Sequence, residues 1–137
     1  MRPCVPGQRR GPLHRRGPSA RQGPMPRLFT AKDAPSGGLA GSCVALIGYG
    51  NQGAAQAANL RDEGVQLVLG LRPRGASWNS ARQAGFTVLE PAEAARRADV
   101  LVLLTPDETQ AALYEREISP QLKPGAALGF AHGFSVG

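Results

Sequence analysis

Three glycines, Gly48, Gly50 and Gly53, stand in G-x-G-x-x-G spacing directly after the apolar run Cys43-Val44-Ala45-Leu46-Ile47 and open a stretch of helix-forming residues. That context gives an otherwise weak pattern its meaning, because a strand, a tight turn and a helix start are what a bound diphosphate requires. Gly48 permits the turn, Gly50 lets backbone approach a pyrophosphate with no Cβ in the way, and Gly53 lets the helix pack closely. The helix N-terminus adds free N–H groups and about half a positive charge toward the phosphates. A glycine-rich turn without a ligand is the bland alternative, and the β-α-β setting makes it the weaker one.

Which dinucleotide such a turn would hold is decided one strand further on. Forms that bind NAD usually place Asp or Glu at the end of the second strand, where it accepts a hydrogen bond from the ribose 2′-hydroxyl. No acid occurs between Glu63 and Glu90. Arg72 stands at the expected strand end instead, Arg74 follows two residues later, and Ser77 begins the next predicted helix. Two cations and a hydroxyl suit a 2′-phosphate and leave a bare ribose hydroxyl without its acceptor, so the expected ligand is NADP(H). Solvated surface arginines are the plain alternative, one that equal or stronger NAD binding would favour.

These residues need a scaffold, and the hydrophobic pattern supplies one. Residues 43–47 read as a strand buried on both faces, and residues 52–63 as a helix whose inner face is small, with Ala54, Ala55, Ala57 and Ala58, stopped by Gly64. Residues 66–71 read as a second strand. Ser77 fits the N-cap of a short helix over residues 78–84, closed by Gly85. Residues 86–89 form a weaker third strand, residues 91–97 an Ala-rich helix, and residues 100–104 the strongest strand signal. Thr105, Pro106 and Glu108 then fit N-cap, first helical position and capping-box partner of a helix reaching Glu117 or Ile118. Lys123-Pro124-Gly125 makes a turn, and residues 126–130 a fifth strand. Strand and helix alternate throughout, which predicts an α/β, Rossmann-like doubly wound parallel sheet.

Composition sets the outer limits. The 137 residues suffice for one domain of ordinary size, and the 42% hydrophobic fraction with 18 glycines suits an α/β core. The net charge of +6 invites a nucleic-acid reading, but residues 1–32 hold eight basic residues and no acid, leaving a net charge of −2 over residues 33–137. The predicted folded part therefore offers no polyanion-binding face. Residues 1–38, rich in Pro, Gly and Arg, are expected to form a disordered basic tail, and residues 39–137 the nucleotide-binding domain. An Arg-rich, acid-free start suggests an organelle transit peptide, yet six prolines before residue 27 and a single serine before Ser36 argue against it. Translation beginning at Met25 is the preferred alternative. Cys4 and Cys43 are too few for a disulfide framework or a CxxC metal site, so a reducing, cytoplasmic location is expected, with no membrane partner.

Taken together, Ile47-Gly48-Tyr49-Gly50-Asn51-Gln52-Gly53-Ala54-Ala55-Gln56-Ala57, Leu60-Arg61-Asp62, Gly70-Leu71-Arg72, Ser77-Trp78, Gly85-Phe86 and Ala131-His132-Gly133-Phe134 resemble the ketol-acid reductoisomerases. The family is also called acetohydroxy-acid isomeroreductase. The resemblance runs from about Val44 to Phe134. It implies an enzyme that uses NADPH and Mg²⁺ to rearrange and reduce 2-acetolactate or 2-aceto-2-hydroxybutyrate in valine and isoleucine biosynthesis. It also implies that Tyr49, Gly50, Asn51 and Gln52 meet the cofactor near its pyrophosphate. Arg72 and Ser77 would meet the 2′-phosphate, and Asp107, Glu108, Thr109 and Gln110 would contact the cofactor from the helix after the fourth strand. His132 matches the family's active-site histidine, just past the carboxyl end of the fifth strand. Gly75 stands where the family has a further serine, with Arg74 as the substitute, and Asn51 where many members have serine.

The family's Mg²⁺ ligands come from a helical C-terminal domain, which also supplies most of the substrate pocket. The sequence ends at Gly137 without such a domain, so the expectation is a truncated domain, an incomplete sheet prone to self-association, no metal site and no turnover by this chain alone. Two rivals stand beside this reading. One is another NADP-dependent Rossmann oxidoreductase such as a β-hydroxyacid dehydrogenase, against which the Ala-His-Gly-Phe segment argues. The other is a non-catalytic module that binds nucleotide or a partner chain.

Overall fold

The computed structural model describes residues 30, 32–33 and 37–133, so most of the predicted basic tail, with Cys4, His14 and Met25, lies outside the described residues, as does Phe134. The chain divides into two units, Met1–Pro35 and Ser36–Gly137. In the first, the Asp33 carboxylate accepts from both the backbone N–H and the hydroxyl of Thr30 at 2.9 Å.

The second unit is built on five strands: β1 (Cys43–Ile47), β2 (Gln66–Gly70), β3 (Val88–Leu89), β4 (Val100–Leu103) and β5 (Ala127–Phe130). All pair in parallel, in the order β3-β2-β1-β4-β5. The first strand is central and every residue of it is buried, which explains its unbroken apolar sequence: a strand covered on both faces has no polar positions to alternate with. The order reverses at β1, between β2 and β4, which makes the cleft above the carboxyl ends of these strands the place where ligands collect in such sheets. The chain thus has the predicted Rossmann-like α/β fold.

Four helices connect the strands: α1 (Asn51–Asp62), α2 (Ala76–Gln83), α3 (Pro91–Arg97) and α4 (Asp107–Leu113). Cys43, Ala45 and Ile47 pack with Ala94 and Ala95 of α3, with Ala98 at its C-cap and with Ile118, while Val44 and Leu46 pack with Ala57 of α1 and Ala81 of α2. The alternation of β1 side chains thus feeds two apolar layers, one on each face of the sheet. Small residues set the helix-to-sheet spacing. A Cβ added at Gly70 of β2 would run into Ile47 Cδ1 and lie 3.1 Å from the Ala94 Cβ. On α1 the buried residues are Gly53 and Ala57, whereas Ala55, expected on the inner face, is exposed. The face is narrower than the run of alanines suggested.

Most element boundaries fall within two residues of those read from sequence, but helix starts and the end of α4 differ for physical reasons. The α-helical part of α4 stops at Leu113, and a π-helical turn follows at Tyr114–Ile118, then a 3₁₀ turn at Ser119–Gln121. Leu113, Tyr114 and Ile118 all reach the same apolar layer, and the wider turn lets Ile118 share a face with Leu113, five residues earlier, as well as with Tyr114. Pro120, which has no N–H to donate, falls at the start of the 3₁₀ turn, where none is needed.

Candidate functional site

The glycine turn joins β1 to α1 at the carboxyl edge of the sheet. Gly48 has φ +114°, and a Cβ there would lie 3.0 Å from the carbonyl carbon and oxygen of Leu104 and 3.1 Å from the Thr105 nitrogen. Only glycine fits both that backbone angle and the approach to β4. At Gly53 a Cβ would lie 2.6 Å from the Gly48 carbonyl oxygen, so the first turn of α1 sits directly on the strand end. Gly50 is the opposite case, exposed and with open space where its Cβ would project. Gly50 is the N-cap of α1, no side chain caps the helix, and no acid occupies its first turn. Uncapped N–H groups at the end of a twelve-residue helix, beside a position kept clear of side-chain atoms, fit a diphosphate group.

The residues around that turn divide by where their side chains go. Asn51 and Gln52 are exposed at the start of α1. Tyr49 turns its ring away, packing edge-on against Phe86 with centroids 5.9 Å apart, so any pyrophosphate contact from this residue is through backbone. Arg61 lies 4.8 Å over the other partner, the Phe86 ring, and donates to the Ala84 carbonyl at 3.1 Å. The Leu60-Arg61-Asp62 and Gly85-Phe86 motifs thus tie the end of α1 to the end of α2 and shape the site from behind.

Beyond β2 the chain turns through Arg72-Pro73-Arg74, with Arg74 at φ +63°. Arg72, Arg74 and Ser77 are exposed, and among the described residues no acid lies within ion-pairing distance of either arginine. The sequence reading of Ser77 as helix cap is corrected here: α2 begins at Ala76 with Gly75 as its N-cap in an extended conformation, and no side chain caps it. The left-handed turn at Arg74 delivers the chain into the helix two residues early. Ser77 therefore lies inside the first turn with its hydroxyl uncommitted, beside two unpaired cations.

A third cluster sits where β4 and β5 end. The expected cap of Thr105 on Glu108 is also corrected: α4 begins at Asp107, its N-cap is Pro106, and no side chain caps it. The Leu104 N–H donates to the Ile47 carbonyl at 2.8 Å, extending the sheet, and Thr105 is held beneath Gly48. The helix cannot start until the chain has cleared that contact. The Thr105 hydroxyl is left buried without a partner. Glu108 and Thr109 are exposed, and the Thr109 N–H and hydroxyl both donate to the Pro106 carbonyl, at 3.0 and 2.8 Å.

Gln110, expected to meet a cofactor, is 3% exposed. Its Nε2 donates to the Thr105 carbonyl at 2.7 Å and to Asp107 Oδ1 at 3.3 Å, while its Oε1 has no partner. His132 lies two residues past β5, largely exposed, with Nδ1 3.6 Å from Asp107 Oδ2. Sequence reading placed His132 and Asp107 at the same edge but missed that they meet; the parallel pairing of β4 and β5 was the available signal.

At the amino edge of the sheet the polar groups are matched. Asp99 Oδ2 accepts from the Cys43 N–H at 2.8 Å, and Asp99 Oδ1 pairs with Lys123 Nζ at 2.8 Å. Lys123 also donates to the Arg97 carbonyl at 2.8 Å. The Cys43 hydrogen bond, followed by that from Lys123, holds the Asp99 carboxyl below its ordinary value. Burial, followed by the charge of Asp99, raises the Cys43 thiol. Among the described residues no group of three or more His, Cys, Asp or Glu side chains could hold a metal ion, and no helix is long and apolar enough to cross a membrane. Glu115 and Glu117 belong to the π turn and bring no third ligand with them.

Residues 38–137 match the family model of the acetohydroxy acid isomeroreductase NADPH-binding domain. The chain belongs to this family. Among solved structures it is similar to an NADH-preferring ketol-acid reductoisomerase from an uncultured archean, with 42% identity and a TM-score of 0.74 over 77% of this chain and 34% of that one. It is less similar to a 3-hydroxyisobutyrate dehydrogenase of Mycobacterium tuberculosis, at 25% identity and a TM-score of 0.59 over 66% of this chain and 31% of that one. A putative D-3-phosphoglycerate dehydrogenase of Ralstonia solanacearum gives 27% identity and a TM-score of 0.56 over 67% and 27%. The chain spans about a third of the length of the reductoisomerase structure it matches. The family match separates it from the hydroxyacid dehydrogenases, which share the nucleotide-binding fold.

Proposed function

We propose that this chain binds NADPH as the nucleotide-binding portion of a ketol-acid reductoisomerase. The observation that carries the reading is the pairing of an uncapped α1 N-terminus under Gly48, Gly50 and Gly53 with an unpaired cationic loop at Arg72, Arg74 and Ser77. In this reading the backbone of Gly48 to Gly53, with Asn51 and Gln52, takes the pyrophosphate. The two arginines and the Ser77 hydroxyl take the 2′-phosphate. Glu108 and Thr109 line the cofactor's far side from the start of α4. His132 is the residue of this chain placed to exchange a proton with the acetohydroxy acid, 2-acetolactate or 2-aceto-2-hydroxybutyrate. The nicotinamide, when bound, supplies the hydride.

The archaeal relative is NADH-preferring and the family domain is described by NADPH, so choice between the two cofactors rests on the β2–α2 loop. Two cations without acidic partners among the described residues favour the phosphorylated ribose. Calorimetric titration of the chain with NADPH and NADH tests this: NADPH is expected to bind more tightly, and equal or tighter NADH binding refutes it.

Mg²⁺ does not fit the described residues, which bring no three acids together, and no step is assigned to it here. Acetolactate-dependent NADPH oxidation by this chain with Mg²⁺ is accordingly expected to be absent, and robust turnover would overturn that part of the reading. Self-association through a second copy belongs to the same proposal. It is supported by an apolar trough beside α1, lined by Leu39, Val44, Leu46, Leu60, Val100 and Val102, and by the sheet edges at β3 and β5. Molar mass measured against concentration by light scattering reads it directly.

A further inference from the structure

We infer that Asp107 is a positioning residue for His132, and that the buried amide of Gln110 holds Asp107 in that role. The inference rests on the reading of His132 as the active-site histidine, and it deepens that reading by naming what sets the ring.

The physical chain begins with a burial that requires an explanation. A glutamine side chain 3% exposed in the first turns of a short helix costs desolvation unless its amide is used. Gln110 spends both its Nε2 contacts on the stretch immediately before it, the Thr105 carbonyl at 2.7 Å and Asp107 Oδ1 at 3.3 Å. Pro106 is the N-cap and no side chain caps α4; the Gln110 amide ties the stretch before the helix to its first residue by donating to both. The Asp107 carboxylate is thereby held by one oxygen, and its side chain remains 31% exposed.

The other oxygen faces the segment after β5. Leu103 pairs with Phe130 in the sheet, so the residues just past each strand emerge side by side, and Asp107 Oδ2 comes to 3.6 Å from His132 Nδ1. Among the described residues Asp107 is the one acid within ion-pairing reach of the ring; neighbouring Glu108 is exposed on the same turn and makes no such contact. A carboxylate facing Nδ1 favours the tautomer that carries the proton there and leaves Nε2 as acceptor. When Nε2 takes up a proton the imidazolium charge is balanced by Asp107, and the same proton leaves from Nε2 when the ring acts as acid. Both oxygens of Asp107 are then engaged within the protein. The carboxylate serves the histidine rather than the cofactor, whose diphosphate it would repel.

The tautomer is directly observable. In the full chain with His14→Gln, so that one histidine remains, long-range ¹H–¹⁵N correlation at a pH where the ring is neutral reports which nitrogen bears the proton. The Nδ1–H form is expected to predominate. Asp107→Asn and Gln110→Met are each expected to lose that predominance while the amide spectrum stays folded. Predominance of the Nε2–H form in the unsubstituted ring overturns the inference, whether or not either variant folds. So does a folded Asp107→Asn protein with the Nδ1–H form retained. Failure of NADPH to bind the parent chain would sink the cofactor reading while leaving the tautomer result standing, so the two failures are distinguishable.

Discussion

The two edges of this sheet treat polar groups in opposite ways. At the amino edge Asp99, Lys123 and the Cys43 and Arg97 backbones satisfy one another, closing β1, β4 and the turn before β5 into a staple. At the carboxyl edge the cations of Arg72 and Arg74 lack acids among the described residues, the starts of α1 and α2 carry no side-chain cap, and the Thr105 hydroxyl and Gln110 Oε1 are buried without partners. Same strands, same core, different degrees of completion: one edge is finished by the protein, and the other is arranged to be finished by something else. Buried unsatisfied polar groups are rare in native structures, so the Thr105 hydroxyl and Gln110 Oε1 mark this edge as the binding edge independently of any motif.

The comparison breaks most severely if the shared core fails. Leu46 is fully buried in β1, and Leu46→Ala is expected to cost about 2–5 kcal/mol and to loosen both edges together, read by chemical denaturation. Loss of NADPH binding with undiminished stability would show that the edges do not share one scaffold. Next comes Gly48→Ala, which combines a left-handed backbone angle with a 3.0 Å approach to the Leu104 backbone. An effect of about 1–3 kcal/mol on stability is expected, together with loss of NADPH affinity. A folded variant that binds normally would remove the turn from the site.

Arg72→Ala sharpens the contrast, because it leaves the fold untouched. Losing one charge-assisted contact of about 1.5–3 kcal/mol should weaken NADPH roughly tenfold to a hundredfold and leave NADH nearly unchanged. Equal loss for both cofactors would place Arg72 outside the 2′-phosphate contact. Asp99→Asn carries the smallest effect and tests the finished edge. The carboxyl of Asp99 is held below its ordinary value in the folded chain, so its contribution is fully present above about pH 4 and is lost as pH falls through the folded value. The variant should lose that part of the acid dependence of stability, measured by denaturation at descending pH, without any change in NADPH affinity. An altered affinity would show that the edges are coupled.

Much of this was legible in the sequence because it depends on local pattern. The apolar runs that became β1 and β4, the spacing of Gly48, Gly50 and Gly53, the missing acid after β2 and the helix at Pro91–Arg97 all declare themselves over a few residues. The helix caps did not. Ser77 and Thr105 are good cap residues, but the left-handed turn at Arg74 and the contact of Thr105 with Gly48 set where α2 and α4 begin, and neither is visible in a local window. The inward turn of Gln110 follows from the phase of α4 against the sheet. The meeting of Asp107 with His132, and of Asp99 with Cys43 and Lys123, follows from strands brought together by topology. Those pairs are decided by the fold as a whole.

The difference between the edges can be read in one experiment, amide chemical-shift mapping of the chain during NADPH titration. The account predicts shifts concentrated at Gly48 to Gly53 and at Arg72 to Ser77, with Cys43, Asp99 and Lys123 silent. Shifts centred on the Asp99 staple, or an Arg72-to-Ser77 loop that does not respond, would contradict it.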